Sequence, residues 1–268
     1  MTWLSAALLG VVQGLTEFLP VSSSAHLILA RAFFGWNIEA EFGEQFAQAF
    51  DIACHVGTLI AVFAYFRADI AAMVRALPRA LDPTAGPDGR RVRFIAIGTV
   101  PIVIAGLLFD PEVVRSPLVA AIALLAGAVL LLAIERMGPR TRGEEALTPA
   151  GAFGIGIAQA VALIPGVSRS GATIATGMAI GLTREAAARF TFLLSVPAIM
   201  AAAAKKSLDV GPLTSEQVTL FAIGLVTSAI VGYASVRFLV KFLTSHRLDV
   251  FAWYRVALAI VTFIWLAQ

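Results

Sequence analysis

Glu17-Phe18-Leu19-Pro20-Val21-Ser22-Ser23-Ser24-Ala25-His26 interrupts an apolar stretch over roughly 3–35, and Pro165-Gly166-Val167-Ser168-Arg169-Ser170-Gly171-Ala172-Thr173 interrupts another over roughly 150–183. In each case the flanking apolar arms are too short to cross ~30 Å of hydrocarbon alone, since a helix rising 1.5 Å per residue needs about 20 residues. Irregular backbone at membrane depth persists only where protein buries it or where it lines a cavity. The two stretches therefore read as re-entrant helical hairpins with polar tips inside the membrane.

The surrounding sequence agrees. Of the 268 residues 59% are hydrophobic and 14% charged, with a mean hydropathy of +0.87. A soluble domain carries about 25% charged residues, so this chain has too little polar surface for water. Six longer spans are expected, at roughly 46–66, 93–109, 117–136, 187–204, 217–242 and 250–268. They are rich in Ala, Leu and Ile and lack period-2 alternation, which favours helices over a β-barrel. The fold class expected is an all-α polytopic membrane protein. The first apolar stretch lacks a basic n-region and runs into Thr16, Glu17 and Pro20, so no cleavable leader is expected of it. The one cysteine, Cys54, excludes an internal disulfide and most zinc frameworks. The net charge of +3 does not point to nucleic acid, because the basic residues sit beside apolar spans.

The broken stretches also repeat. Gly10-Val11-Val12-Gln13 matches Gly156-Ile157-Ala158-Gln159, and Pro20 and Pro165 each lead into serines. Ile95-Ala96-Ile97-Gly98 resembles Phe221-Ala222-Ile223-Gly224 further on. Residues 1–268 are expected to form a single membrane domain of two repeats, 1–137 and 150–268, each a hairpin plus three spans. Three is odd, so the halves must insert with opposite orientation and meet near the midplane. Arg67, Arg75, Arg79, Arg90, Arg91 and Arg93 follow the first span, Arg136, Arg140 and Arg142 the third, and Arg184 and Arg189 the second hairpin, with Lys241 and Arg247 between the last two spans. The other side holds little beyond Arg31, Arg115, Lys205 and Lys206. The positive-inside rule puts the arginine-rich loops in the cytoplasm and both termini outside. The stretch 67–92, with Pro78, Pro83, Gly86, Pro87 and Gly89, is expected to be a surface helix and a turn-rich loop.

Glu17, His26 and Arg169 are ionisable groups at membrane depth, which mark functional sites by default. Ser22, Ser23 and Ser24 begin the helix of the first hairpin; Ser168, Arg169, Ser170 and Thr173 begin that of the second. Both helix N-termini, with unpaired N–H groups and partial positive charge, then aim at one point. With an arginine fork and several hydroxyls, that point suits phosphate. Asp51 and His55, four residues apart on the first span, either form a structural hydrogen bond or line the site. Arg169 could also act only as a structural bridge to Glu17.

The run from Gly10 through Glu17 and Pro20 to His26 resembles the first signature of the bacterial undecaprenyl-diphosphatase family, known also as the bacitracin-resistance (BacA or UppP) family, and Pro165–Thr173 resembles its second. The likeness extends over essentially the whole chain. It implies hydrolysis of the C55 isoprenoid diphosphate to its monophosphate, which recycles the carrier lipid of cell-wall synthesis. It further implies a site opening on the outer face of the bacterial inner membrane. The family's acidic motif falls on Gln13 and Glu17, with Gln13 where many members have a second glutamate. Its serine–histidine element falls on Ser23 and His26, and its phosphate-binding arginine on Arg169. His55 stands where a glutamine is expected. The resemblance alone implies a divalent cation, Mg²⁺ or Ca²⁺, with Glu17 as the ligand if one binds.

Ser23 is thus the expected nucleophile, with His26 or Glu17 as base. Arg169 and the helix ends would hold the developing charge, with Gln13, Ser22, Ser24, Ser168, Ser170 and Thr173 as further phosphate-binding candidates. The expected partners are a polyprenyl diphosphate substrate and membrane lipids, without nucleic acid; self-association is left open. The rival reading is a lipid-phosphate transporter or flippase, which would use Arg169 and the helix ends but need neither Ser23 nor His26.

Overall fold

The computed structural model describes residues 1–82, 84–137, 140–207 and 211–268, with the side chains of all but Lys206 and Ser207. Pro83 of the turn-rich loop and the Lys206 side chain thus lie outside the described residues. Among these residues the chain is all-α, without strands. Helices α1 (Trp3–Thr16) and α2 (Ser23–Phe34) form the first hairpin. A short α3 (Ile38–Phe42), α4 (Glu44–Tyr65), α5 (Arg67–Ala76), α6 (Gly86–Leu108) and α7 (Pro117–Arg136) follow. Then α8 (Pro149–Val161) and α9 (Arg169–Ala179) form the second hairpin, before α10 (Arg184–Ser207), α11 (Ser215–Phe242) and α12 (Asp249–Leu266). Six of them, α4, α6, α7, α10, α11 and α12, are long and apolar enough to cross a membrane, whereas α1 and α8 are shorter apolar helices. The chain is a polytopic membrane protein.

Local chemistry sets the helix ends. Ser116 and Thr148 cap α7 and α8 from just before a proline at the first helical position, where the missing N–H would have had no partner anyway. Thr214 and Gln217 close a reciprocal capping box on α11. All the spans but α7 begin earlier than the apolar runs suggest, because first-turn residues such as Arg184, Ser215 and Asp249 are polar, and α6 starts early enough that Gly86, Pro87 and Gly89 of the expected turn-rich loop lie in its first turn. Exposed apolar side chains such as Leu107, Ile122, Ile230 and Ile264 face outward from α6, α7, α11 and α12, as a lipid-facing surface requires. Helix α5, which buries none of its residues, is the expected surface helix.

Helix α1 packs on α11, and α8 packs on α6. Both crossings are made at glycines. A β-carbon at Gly10 would lie 2.7 Å from the Gly224 carbonyl oxygen, and one at Gly156 would lie 2.4 Å from that of Gly98. Small residues let helix backbones approach where neither water nor large side chains intervene. These are the glycines that the repeated sequences align, so each hairpin's first arm crosses a span of the other half by the same contact.

The arginine-rich segments are tied to one another. Asp69 of α5 pairs with Arg91 at 3.4 Å and Arg189 at 3.0 Å, and Arg91 reaches Glu144 at 2.5 Å. Glu135 at the end of α7 gathers Arg184 at 2.5 Å, Arg140 at 3.4 Å and Arg247 at 3.6 Å. The loops that the charge pattern assigns to one side are therefore joined through two clusters of counter-ions, one at Asp69 and Glu144 and one at Glu135.

A candidate phosphate site at the hairpin tips

Ser22 and Ser168, the residues preceding α2 and α9, both have φ of 73°, and among the described residues they are the only non-glycines with positive φ. A β-carbon in that region costs about 1–2 kcal/mol, and such strain collects at functional sites. What the conformation achieves is a sharp entry into each helix. The Ser22 hydroxyl accepts from the Ala25 N–H at 3.4 Å, and the Ser168 hydroxyl from the Gly171 N–H at 3.1 Å. One offset carries Gly10 to Gly156, Gln13 to Gln159 and Ser22 to Ser168, so only the prolines are displaced between the tips.

The tips interlock. The Gly166 N–H donates to the Ser24 hydroxyl at 3.4 Å, and the Ser170 hydroxyl donates to the Leu19 carbonyl at 3.0 Å. Gly166 has φ of 102°, and a β-carbon there would lie 2.5 Å from the Ala120 carbonyl oxygen, so only glycine fits between this tip and α7. Arg255 of α12 binds the tips from behind. It is fully buried, and it donates to the carbonyls of Pro20 at 3.3 Å, Gly166 at 3.0 Å and Val167 at 3.1 Å, as well as Leu124 and Ala123 of α7 at 3.1 Å each. Among the described residues no carboxylate pairs with it. Its charge therefore adds to the positive potential of the two helix ends. Arg169 lies in a tip, and Arg255, from α12, is a second permanent cation against the tips. Its signal was present, a lone arginine inside the span 250–268.

Between the tips lies a cavity of about 260 Å³ that is lined by Glu17, Ser22, Ser23, Ser24, Ser168 and Arg169. The Glu17 side chain is 3% exposed. Its Oε2 accepts from the Ser23 hydroxyl at 2.7 Å and from Gln13 Nε2 at 2.9 Å, and its Oε1 is paired with Arg169 Nη2. Among the described residues Glu17 is the only hydrogen-bond partner of the Arg169 guanidinium, whose side chain is 20% exposed. Most of its five N–H donors are left for a ligand. The N–H groups of Ser23 and Ser24 and of Arg169 and Ser170 open their helices and have no intrahelical acceptor.

Other expected residues fall outside the cavity. His26 stacks on Tyr254 with ring centroids 5.5 Å apart. Its Nδ1 lies 2.7 Å from the Ser22 carbonyl, which can only accept, so Nδ1 donates and Nε2 accepts from the Tyr254 hydroxyl at 2.7 Å. Both ring nitrogens are thus engaged away from Ser23. Thr173 is fully buried, donating to the Arg169 carbonyl at 2.7 Å and accepting from Thr191 at 3.0 Å. Asp51 does not line the cavity. Its carboxylate is held by Arg31 and by Arg115, the latter at 2.6 Å, so it ties α2, α4 and the α6–α7 connection together. His55 does line it; Nδ1 donates to the Asp51 carbonyl at 2.8 Å, and Nε2 lies 3.6 Å from Glu17 Oε2.

Among the described residues Glu17 is the one carboxylate hydrogen-bonded to a tip serine, and its oxygens already face Gln13, Ser23 and Arg169. Among the described residues no three His, Cys, Asp or Glu side chains converge. Mg²⁺ and Ca²⁺ take six or more oxygen ligands, so these side chains do not fit a resident divalent site, and no step of the chemistry is assigned to one.

The chain is a polytopic membrane protein with two capped helix starts, an arginine and a serine bound to a buried carboxylate gathered where two hairpins meet, a candidate oxyanion site. A family model described as bacitracin resistance protein BacA matches residues 6–261. Among similar proteins, an undecaprenyl-diphosphatase of Rubrobacter xylanophilus is 45% identical, with 96% of this chain and 95% of that one covered. One of Alcanivorax borkumensis is 41% identical over the full length of both, and one of Pelotomaculum thermopropionicum is 40% identical over 95% of this chain and 93% of its own. The chain belongs to the bacitracin resistance protein BacA family.

Proposed function

We propose that this chain is an undecaprenyl-diphosphate phosphatase: it hydrolyses the C55 isoprenoid diphosphate to the monophosphate and inorganic phosphate, and so recycles the lipid carrier of peptidoglycan synthesis. The observation that carries this reading is the Ser23 hydroxyl donating at 2.7 Å to Glu17, whose other oxygen pairs with Arg169. A site built only to bind phosphate has no use for a hydroxyl aimed at a buried carboxylate; a nucleophile needs that base.

The terminal phosphate enters between the tips and engages Arg169 and the helix N–H groups. As the guanidinium turns to it, Glu17 is left to accept the Ser23 proton. The Ser23 oxygen then bonds to the terminal phosphorus, and the bond from that phosphorus to the bridging oxygen breaks. The lipid monophosphate leaves with the electron pair. The departing monophosphate takes the proton from Glu17; water then attacks the phosphoserine as Glu17 accepts its proton, the hydroxyl stays on phosphorus, and Glu17 returns that proton to the Ser23 oxygen as the serine–phosphorus bond breaks and inorganic phosphate departs. Arg169 and the helix ends meet the charge on the non-bridging oxygens in a largely dry site. Ile28, Ile52, Ile102 and Ile199 line the same cavity and suit the first isoprene units.

The test is phosphate release from a polyprenyl diphosphate by purified protein in detergent. Wild type is expected to release it, and Ser23→Ala to bind the lipid but release almost none. A wild type that binds the lipid without releasing phosphate would turn the reading to a flippase.

The chain is assigned to the bacterial inner membrane, its halves oppositely inserted and the cavity opening on the outer side. The charge asymmetry supports this, as does the cavity's border on Glu112 and Arg115 of the α6–α7 connection and Ala202 near the end of α10, segments opposite the arginine-rich loops. Leu81, 92% exposed in the loop after α5, supplies the check. In a Cys54→Ala background, Leu81→Cys in intact cells should stay unlabelled by an impermeant thiol reagent added outside. Labelling would reverse the orientation.

A further inference from the structure

Gln159 on α8 is 1% exposed, and neither its Oε1 nor its Nε2 has a hydrogen-bond partner among the described residues. It lines the cavity that holds Glu17, Ser23 and Arg169. Buried side-chain amides are almost always partnered, and an orphaned one calls for a reason. The repeat supplies the contrast. Gln13 holds the corresponding place on α1 and gives its Nε2 to Glu17, one turn on. One turn beyond Gln159 stands Leu163, which cannot accept. The second half keeps the glutamine, lacks the carboxylate that would occupy it, and leaves a neutral donor facing the cavity.

We infer that the Gln159 amide is a substrate-binding group, donating from Nε2 to a non-bridging oxygen of the diphosphate. The inference rests on the phosphatase reading for the identity of the substrate and on the orphaned amide for the contact. A neutral donor suits this place, because it can bind the anion without pairing with Glu17 and quenching the base. The contact would add to those of Arg169 and the helix ends from another direction, since Gln159 lies on the arm of the second hairpin rather than at its tip.

Gln159→Leu separates this role from packing. Leucine matches the volume and removes a buried polar group that bonds to no described residue, so the melting temperature in detergent should hold or rise. Inorganic pyrophosphate should raise the melting temperature of wild type and raise that of Gln159→Leu much less. In phosphate release from a polyprenyl diphosphate, kcat/KM of Gln159→Leu should fall about 10-fold or more, equivalent to losing one good hydrogen bond to the anion. Gln159→Glu should lose more, because it sets a negative charge against the phosphate. Unchanged kcat/KM with an unchanged pyrophosphate shift would overturn the inference. So would a fall in activity that tracks a fall in the melting temperature without pyrophosphate, which would make Gln159 a packing residue. If wild type released no phosphate yet gained stability from pyrophosphate through Gln159, the phosphatase reading would fail and the binding role would stand.

Discussion

Arg169→Ala should lower kcat/KM for phosphate release by about 10²–10³, the effect of losing a charged contact to a transition state in a dry site, about 3–4 kcal/mol. Arg169→Lys should lose most of the activity as well. Lysine keeps the charge but not the planar fork that meets two phosphate oxygens together. The resting structure pairs Arg169 with Glu17, so a purely structural bridge has to be separated from a catalytic pair. Arg169→Ala leaves Glu17 with only the Ser23 and Gln13 donors, and removing one partner of a buried pair destabilises by about 3–5 kcal/mol. Replacing both charges, Arg169→Met with Glu17→Leu, removes that penalty. If the pair serves only the fold, the double variant recovers stability and activity together. If Arg169 grips phosphate and Glu17 takes the Ser23 proton, the double variant is stable and inactive. A stable double variant that still releases phosphate would remove both residues from the mechanism.

The second large effect is expected at Arg255, on stability. Among the described residues it is the one hydrogen-bond donor to the Pro20, Gly166 and Val167 carbonyls, and it lies fully buried. Arg255→Met strands three turn carbonyls away from water. At about 1–3 kcal/mol for each unsatisfied group, the loss is comparable to the whole stability of an ordinary domain, about 5–15 kcal/mol. The variant should aggregate on extraction or melt far below wild type. Arg255→Lys should lie between the two, because an ammonium offers three donors rather than five and lacks the fork. Thermal unfolding in detergent, followed by intrinsic tryptophan fluorescence, measures both. An Arg255→Met protein with wild-type stability would show that the tips hold together without it.

Arg255 also marks where the sequence stopped being informative. The hairpins were legible because proline and serine runs have no business at membrane depth unless they line something. The meeting of Ser23, Glu17 and Arg169 followed from placing two helix starts opposite each other. Arg255 lies inside the expected span 250–268, and nothing local says that it reaches carbonyls in both tips. Asp51, one turn from His55, stayed open between a structural bond and the site, because its partners, Arg31 and Arg115, are distant in sequence and had been counted only as loop charges. His26 fits the same pattern, since its ring is claimed by Tyr254 of the last helix. Gln159 entered the sequence reading only as the repeat match of Gln13, because a glutamine is informative only when its partners, or their absence, are known. Local chemistry sets the hairpins and caps; long-range pairing decides which charges are spent on structure.

The leucine at position 163 sets the second hairpin apart from the first in its chemistry. The two halves share a scaffold down to the backbone angle of Ser22 and Ser168 and the glycine crossings, but their chemical inventories have diverged. The first half keeps Ser23 and the Glu17 carboxylate, the second the Arg169 guanidinium. A chain made of two first halves would carry two such carboxylates and no such guanidinium, and a chain of two second halves the reverse. A symmetric pair of either half would therefore lack one group or the other, and the two hairpin tips complement each other only because they differ.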